Sequence, residues 1–478
     1  MKYWRELTTA IEEIVRRWEI PGMAVGVIDK NEVVHSQLLG IQSVASPSPV
    51  TLETRFCMAS VSKPFAAVAV MQLAERGQIH LDAPVLEYVP FFSLRDPRYR
   101  RITVRHLLSH TSGIPDMSEH EYAQLWRNPE HDAGAAERLV RSLQSRPMVA
   151  DPGEVFSYSN LAYNLLGVAI ARVTGMSFES YVAEHVLAPI EMGGSSFLLE
   201  DIAGDSLAMP HLRAPHVLVN PVYPYHRADA PSSNLHSSLR DMLRWAMSCL
   251  DRSRRLDLLR PVSFESMWTP VIKRGGIPIY EHMGLGWNLG SYKGHPTVSH
   301  MGAGAGFNAF LILLPEESSG AVAMLNTESQ AVYRVLWAVL DALLGEEPKA
   351  KSISWMIPIS EALSNGGYDA AYSRYCELKE CDPQTDVFIE PSSLTMLAMQ
   401  LLMVGNSELA AETLRLNVQV FPEDVDSYVT LSRAYAQGGQ MGHAHDALLK
   451  ALALAPDHPE ASALRDELMN RSRPHPES

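Results

Sequence analysis

Cysteine is scarce: the chain has four, Cys57, Cys249, Cys376 and Cys381, among 478 residues. They are too few and too scattered for a disulfide framework, and they fit a reducing compartment. Cys57 reads as a small buried hydrophobe rather than a nucleophile, and Cys376 and Cys381 share one expected helix without further metal ligands. There is no HExxH string and no Cys/His cluster, so no metal and no cofactor is expected. Long apolar runs are also missing. The most apolar late stretch, residues 331–344, is short and broken by Arg334 and Asp341, so no membrane partner is expected. Residues 1–19 carry Trp4, Leu7, Ile11, Ile14, Val15 and Trp18 on one face of an amphipathic helix, without the apolar core or cleavage site of a signal peptide; the expected location is cytoplasmic. Positive charge is outnumbered, with 40 Lys and Arg against 55 Asp and Glu and a net charge of -15. Such a surface repels phosphate backbones, and no basic stripe with interleaved aromatics overrules it, so no nucleic-acid partner is expected.

Against these absences stand three short strings in a telling order: Ser60-Val61-Ser62-Lys63, Tyr158-Ser159-Asn160 and His300-Met301-Gly302. A serine hydroxyl is a weak nucleophile until a neighbour removes its proton, and lysine and tyrosine are both able to do so. Any one string is weak evidence, since about two S-x-x-K strings are expected by chance in a chain of this length. Their order and surroundings carry the joint reading. Residues 61–76 repeat apolar side chains at helical spacing, and Pro64 cannot lie deep in a helix, so a helix begins near Ser60. Lys63, three residues on, then shares a helical face with Ser60.

Residues 22–29 and 32–40 read as strands joined by a tight turn at Lys30 and Asn31. Residues 85–280 read as mostly helical with Pro-rich and His-rich connections, followed by strands at 284–290, 295–300, 307–315 and 320–326 and a helix over 330–344. Strands at both ends imply one sheet made from the two termini, with a helical lobe inserted and the catalytic strings at the seam.

Past residue 350 the character changes. Residues 391–424 and 425–458 align with a 34-residue period, the length of a tetratricopeptide repeat. Tyr428, Leu431, Tyr435, Gly439, Ala444, Ala451 and Pro456 fall on its signature positions, and a degenerate copy runs through Trp355, Gly366, Ala371, Tyr375 and Pro383. About three copies are needed to bury a continuous core, so residues 350–470 are expected to bind a protein or peptide partner, to self-associate, or to act as a structural cap.

With ITVRHLLSHTSG at 102–113, DPGEVFSYSN at 151–160 and GLGW at 284–287, the chain resembles the serine penicillin-recognising superfamily of class C β-lactamases, D-alanyl-D-alanine carboxypeptidases, D-aminopeptidases and related esterases. The resemblance implies an α+β fold over residues 1–346: an antiparallel sheet flanked by terminal helices with an inserted all-helical lobe. It implies an acyl-enzyme on Ser60, Lys63 and Tyr158 as candidate bases, and an oxyanion hole from the backbone amides of Ser60 and Ala303. Asn160 would orient Lys63 and the substrate amide, and Gly302, Gly304 and Gly306 would let substrate backbone approach closely. His110 lies in a segment that shapes a turn. His300 replaces the lysine of dedicated β-lactamases, and histidine is largely neutral at pH 7, so a small peptide-like amide or ester is expected rather than a β-lactam. Residues 116–132 and 210–231 are the expected pocket rims. Within them Tyr223, Tyr225 and His226 read either as substrate contacts or as exposed loop residues. The same acyl-enzyme serves a transacylase or peptide cyclase. A catalytically idle scaffold would show loss of Ser60, Lys63 or Tyr158, and all three are present.

Overall fold

A strand with two apolar faces can lie only in a sheet covered on both sides. Three such strands occur: Gly22–Asp29, Phe307–Leu314 and Ser319–Leu325. The computed structural model, which describes residues 3–202, 204, 206–251, 258–349, 353–380 and 387–471, sets them side by side in an eight-stranded antiparallel sheet. Its strands are β1 (Gly22–Asp29), β2 (Glu32–Gly40), β3 (Ile272–Lys273), β4 (His282–Met283), β5 (Asn288–Tyr292), β6 (His295–Gly304), β7 (Phe307–Leu314) and β8 (Ser319–Leu325), in the spatial order β2-β1-β8-β7-β6-β5-β4-β3. The first strand thus zips onto the last, with Val25 opposite Ala323. Lys30 and Asn31 both take positive φ, 53° and 63°, which suits the tight turn between β1 and β2.

The principal helices of this unit are α1 (Trp4–Arg17), α2 (Ser62–Glu75), α3 (Asn160–Thr174), α4 (Leu239–Leu250) and α5 (Ala331–Leu343). One face of the sheet, with Ala24, Ile28, Leu311 and Met324, shares an apolar core with α2, α3 and α4. A Cβ at Gly26 would stand 2.9 Å from Leu243, so α4 lies directly on β1. The alternate set, including Val25, Val27 and Ile312, is equally buried. Beside it, α1 buries Leu7, Ala10, Ile11 and Ile14 and accepts a 3.2 Å hydrogen bond at Thr8 O from Gln37 of β2.

The expected strand over 284–290 is a correction. β4 stops at Met283 and β5 starts at Asn288, because Gly286 turns the chain with φ 84° and donates its amide to Leu108 O at 3.0 Å. GLGW is instead a loop pressed on α2, where a Cβ at Gly286 would lie 2.4 Å from Ala67 Cβ. β6 runs four residues beyond the expected His300. The connection expected over 210–231 contains two short strands, His211–Arg213 and Val217–Val219.

The chain divides into two compact units: Met1–Arg16, Ile20–His211 and Val222–Ala350 form one, and Arg17–Glu19, Leu212–Pro221 and Lys351–Ser478 the other. The second is a stack of helices, Met356–Glu380, Pro391–Met403, Ser407–Val420, Val425–Gln437, Met441–Leu454 and Pro459–Arg471. The helices starting at Pro391, Val425 and Pro459 stand 34 residues apart, as do those starting at Ser407 and Met441. The degenerate copy falls on a single helical span broken at Gly367 (φ 66°, ψ -157°), with Trp355 packed edge-on against Tyr375; Pro383 lies outside the described residues. Ala214 joins this unit's core with Trp355, Leu394 and Leu414, Arg213 N donates to Gln400 Oε1 (2.7 Å), and Ser360 Oγ donates to Pro215 O (2.8 Å).

Replacing Gly286 with alanine forces a methyl into Ala67 and a side chain into a left-handed backbone. The expected loss is about 1–3 kcal/mol, read as a lowered thermal-unfolding midpoint. A midpoint equal to wild type would refute the tight seating of GLGW on α2.

Candidate active site

Ser60 sits in a 3-10 turn, Ala59–Val61, that feeds straight into α2, with Pro64 in that helix's first turn where its missing N–H is harmless. The turn is held tightly. Met58 N donates to Leu235 O (2.7 Å), Ser62 Oγ donates to Ala59 O (2.6 Å) and accepts from Leu235 N (2.9 Å), and Ala59 is strained into positive φ, 44°. β5 pairs with β6 only from His295 to Ser299, so residues 300–304 pair with β7 alone and leave their other edge free of strands among the described residues. That edge lies against the Ser60 turn: a Cβ on Gly302 would stand 2.2 Å from Met58 O. Ala303 is thereby brought to the neighbourhood of Ser60, and only glycine fits at the position before it.

The second string gains its geometry from a helix cap. Ser159, extended at φ -149°, accepts the Ala162 amide at 3.2 Å and caps α3, a contact of about 1 kcal/mol. The cap fixes Tyr158 just outside the helix and Asn160 at its first residue, both turned toward α2. Tyr158 Oη lies 2.8 Å from Ser60 Oγ, and Lys63 Nζ lies 3.0 Å from the same oxygen. Lys63 Nζ also donates to Asn160 Oδ1 (2.5 Å) and to Ser232 O (2.9 Å). Asn160 cannot flip without loss, because Asp116 accepts its backbone N (3.1 Å) at one oxygen and its Nδ2 (2.8 Å) at the other. Tyr122 Oη donates to Asp116 as well, at 2.9 Å.

Lys63 is fully buried, in a helix buried from Ser62 to Leu73. Burial lowers its amine to about 7, against the opposing pull of Asp116 and Asp229. The same burial raises Asp116, and raises Asp229 to about 7 despite a 2.8 Å hydrogen bond from Asn164. Tyr158 is pushed well up by burial, so it is a phenol at neutral pH. Burial, then Lys63, drive His300 down to about 3; its Nδ1 donates to Met301 O at 2.8 Å and its buried Nε2 has no hydrogen-bond partner. Cys57 is raised to about 12 by burial and is no thiolate. Among the described residues no group of three or more His, Cys, Asp or Glu is arranged to hold a metal ion.

Ser60, Lys63, Tyr158, Asn160, His300, Gly302 and Ala303 are therefore brought together. The tyrosines of the second rim are held by protein partners, Tyr223 half-buried and Tyr225 buried. Tyr223 Oη donates to His236 Nε2 (2.9 Å) and its ring packs edge-on against Phe307. Tyr225 is 2% exposed beside His131, and His226 Nδ1 accepts the Ala228 amide within its own turn. Sequence reading missed Asp116 and Asp229 as partners of Lys63, although Asp116 stands only three residues after HTSG. It also missed Arg274. That guanidinium is stacked 4.0 Å from the Tyr280 ring, is hydrogen-bonded to Asn288 Oδ1, bears electrostatically on Tyr158 and His300, and makes no ion pair with a described carboxylate.

The beta-lactamase family model matches residues 7–346. The chain belongs to the beta-lactamase family. Family relatives include protein flp of Staphylococcus aureus (strain MW2), 26% identical over 336 residues, 70% of this chain. The chain spans 65% of that protein's length. Penicillin-binding protein 4 of Amycolatopsis lactamdurans is 26% identical over 355 residues, 72% of this chain and 89% of that protein. The octameric penicillin-binding protein homologue from Pyrococcus abyssi superposes with a TM-score of 0.64 at 26% identity, over 75% of this chain and 81% of that one. This is a family of serine hydrolases, and its fold, an antiparallel sheet with helices, is the one found here.

Because the Asp116 charge raises the Lys63 amine, Asp116→Asn is expected to move the acid limb of kcat/KM to lower pH. Freeing the Asn160 amide to turn over is expected to cut the plateau on the order of a hundredfold. A limb that stays in place or moves upward refutes the coupling.

Proposed function

We propose that the first unit is a serine hydrolase that forms an acyl-enzyme on Ser60 and cleaves amide or ester bonds of a small peptide-like or ester substrate. One observation carries this reading. Lys63 Nζ has three oxygen partners, Ser60 Oγ, Asn160 Oδ1 and Ser232 O; when the amine is neutral its two N–H bonds serve Asn160 and Ser232, and its lone pair is left for the Ser60 hydroxyl proton. Ser60 Oγ attacks the carbonyl carbon as its proton passes to Lys63, and the tetrahedral oxyanion is held by the amides of Ser60 and Ala303. Collapse breaks the bond to the amine or alcohol. Tyr158, protonated and 2.8 Å from Ser60 Oγ, gives its proton to that leaving group, and the Lys63 ammonium re-protonates the phenolate once the leaving group has departed. Water then attacks the acyl carbonyl as Lys63 takes its proton, and Lys63 returns that proton to Ser60 Oγ as the tetrahedral intermediate collapses to the free acid.

His300, neutral by burial, supplies no charge for a substrate carboxylate, which favours a peptidase or esterase over a β-lactamase. Arg274, which makes no ion pair with a described carboxylate, lies beside the site, and a carboxylate on the substrate would complete it. The helices repeating at 34 residues support a tetratricopeptide-like second unit that binds a protein or peptide partner or a second copy of the chain. Cys57, Cys249 and Cys376 form no disulfide among the described residues, which supports a cytoplasmic setting.

The test is a fluorophosphonate label read by mass spectrometry, with a panel of D-amino-acid amides, short acyl esters and nitrocefin. The expected result is an adduct on Ser60 and turnover of esters or amides that falls by roughly three orders of magnitude or more in Ser60→Ala. Folded wild-type protein that acquires no label on Ser60 would sink the reading. Arg274→Gln is expected to raise KM about tenfold for carboxylate-bearing substrates and to leave their neutral counterparts unchanged; equal losses on both would assign the guanidinium a packing role.

A further inference from the structure

His110 belongs to a segment read from sequence as a turn, and its surroundings give it more to do. The residues around HTSG and DPGEVFSYSN are laced together: Val149 N donates to Gly113 O (3.0 Å), Gly153 N to Thr111 O (2.7 Å) and Ser157 N to His110 O (2.8 Å). Gly113 is required for the approach, since a Cβ there would meet Ala150 O at 2.2 Å. The lace ends on a side chain rather than on backbone. Ser159 N donates to His110 Nδ1 at 3.1 Å, and the imidazole stacks on the Tyr158 ring with centroids 4.2 Å apart and planes 26° apart. The residue before Tyr158, the residue after it and its ring are thus all held by one histidine, whose own backbone is strained into positive φ, 53°.

The hydrogen bond also settles the tautomer. A backbone amide only donates, so Nδ1 accepts and the ring proton is on Nε2, which is buried with no hydrogen-bond partner. The charged groups bearing on the ring are Lys63 and Arg274, with His300 beside them; burial and these cations keep it neutral. An imidazolium has no lone pair for Ser159 and would release the segment.

We propose that His110 is a positioning residue for Tyr158: by accepting from Ser159 N and stacking on the phenol it sets Tyr158 Oη against Ser60 Oγ, and so governs protonation of the leaving group. This rests on the acyl-enzyme reading above. The step it controls is the one written there: the Tyr158 O–H bond breaks as the leaving oxygen or nitrogen takes the proton.

The experiment compares two esters of one acyl group, a p-nitrophenyl ester whose anion leaves unaided and an alkyl ester whose alcohol needs a proton. In Tyr158→Phe and His110→Ala alike, kcat for the alkyl ester is expected to fall on the order of a hundredfold, kcat for the p-nitrophenyl ester by less than about threefold, and KM to hold for both. His110→Asn keeps an acceptor for Ser159 and is expected to recover about tenfold over His110→Phe, which keeps a ring without one. That comparison decides the matter if His110→Ala fails to fold. Equal losses on the two esters, a change confined to KM, or no recovery by asparagine overturns the proposal. Imidazole nitrogen NMR of the wild-type chain judges it independently of turnover. The expected spectrum has His110 protonated at Nε2 only, from pH 5.5 to 8, and a ring protonated at Nδ1 or titrating in that range overturns it. Absence of both turnover and Ser60 labelling, with the His110 tautomer as expected, would instead count against the hydrolase reading.

Discussion

An amine sealed from water on the inner face of α2 is the constraint to which the rest of the site answers. Lys63 is enclosed because its helix is apolar on every side, and an enclosed ammonium is costly unless oxygen atoms surround it. Two of those atoms come from Asn160 and Ser232, which lie 97 and 169 residues further along the chain. The helical lobe must therefore close on α2 from two directions before Lys63 is satisfied. The buried carboxylates of Asp116 and Asp229 moderate the effect of burial on the amine, so its affinity for protons is a balance rather than a simple loss.

The second constraint is steric. The free edge of β6 reaches Ser60 only because Gly302 has no side chain to strike Met58 O, and the GLGW loop reaches α2 only because Gly286 has none to strike Ala67. Glycines at these two points do not loosen the molecule. They let backbone segments close to distances that any Cβ would forbid, and so seat a strand edge on the Ser60 turn and a loop on α2.

Much of this was legible in the residues. β1 and β2 have the boundaries read from the sequence, since each is a simple strand on either side of a two-residue turn. Ser60, Lys63, Tyr158, Asn160 and His300 lie together, because short strings specify a helix start, a cap and a strand edge that local chemistry dictates. What escaped the reading depends on distant partners. Nothing local to GLGW distinguishes a strand from a loop, since it is α2 that decides. Tyr223 looks like a loop residue until His236 is seen to accept its hydroxyl, and Arg274 looks like a surface charge until Tyr280 and Asn288 enclose it. Asp116 declares itself only through the amide that it orients.

The division of the chain into units does not follow the order of the sequence. Residues 212–221 leave the first unit between His211 and Val222, and Ala214 and Leu218 from that excursion are packed among Trp355, Leu394 and Leu414 in the helical stack. Eleven positions past Pro221, the same strand of chain supplies the carbonyl of Ser232 to Lys63. The chain therefore passes through the second unit between two segments of the first. A cut near residue 350 would leave residues 212–221 on one fragment and Trp355, Leu394 and Leu414, against which they pack, on the other.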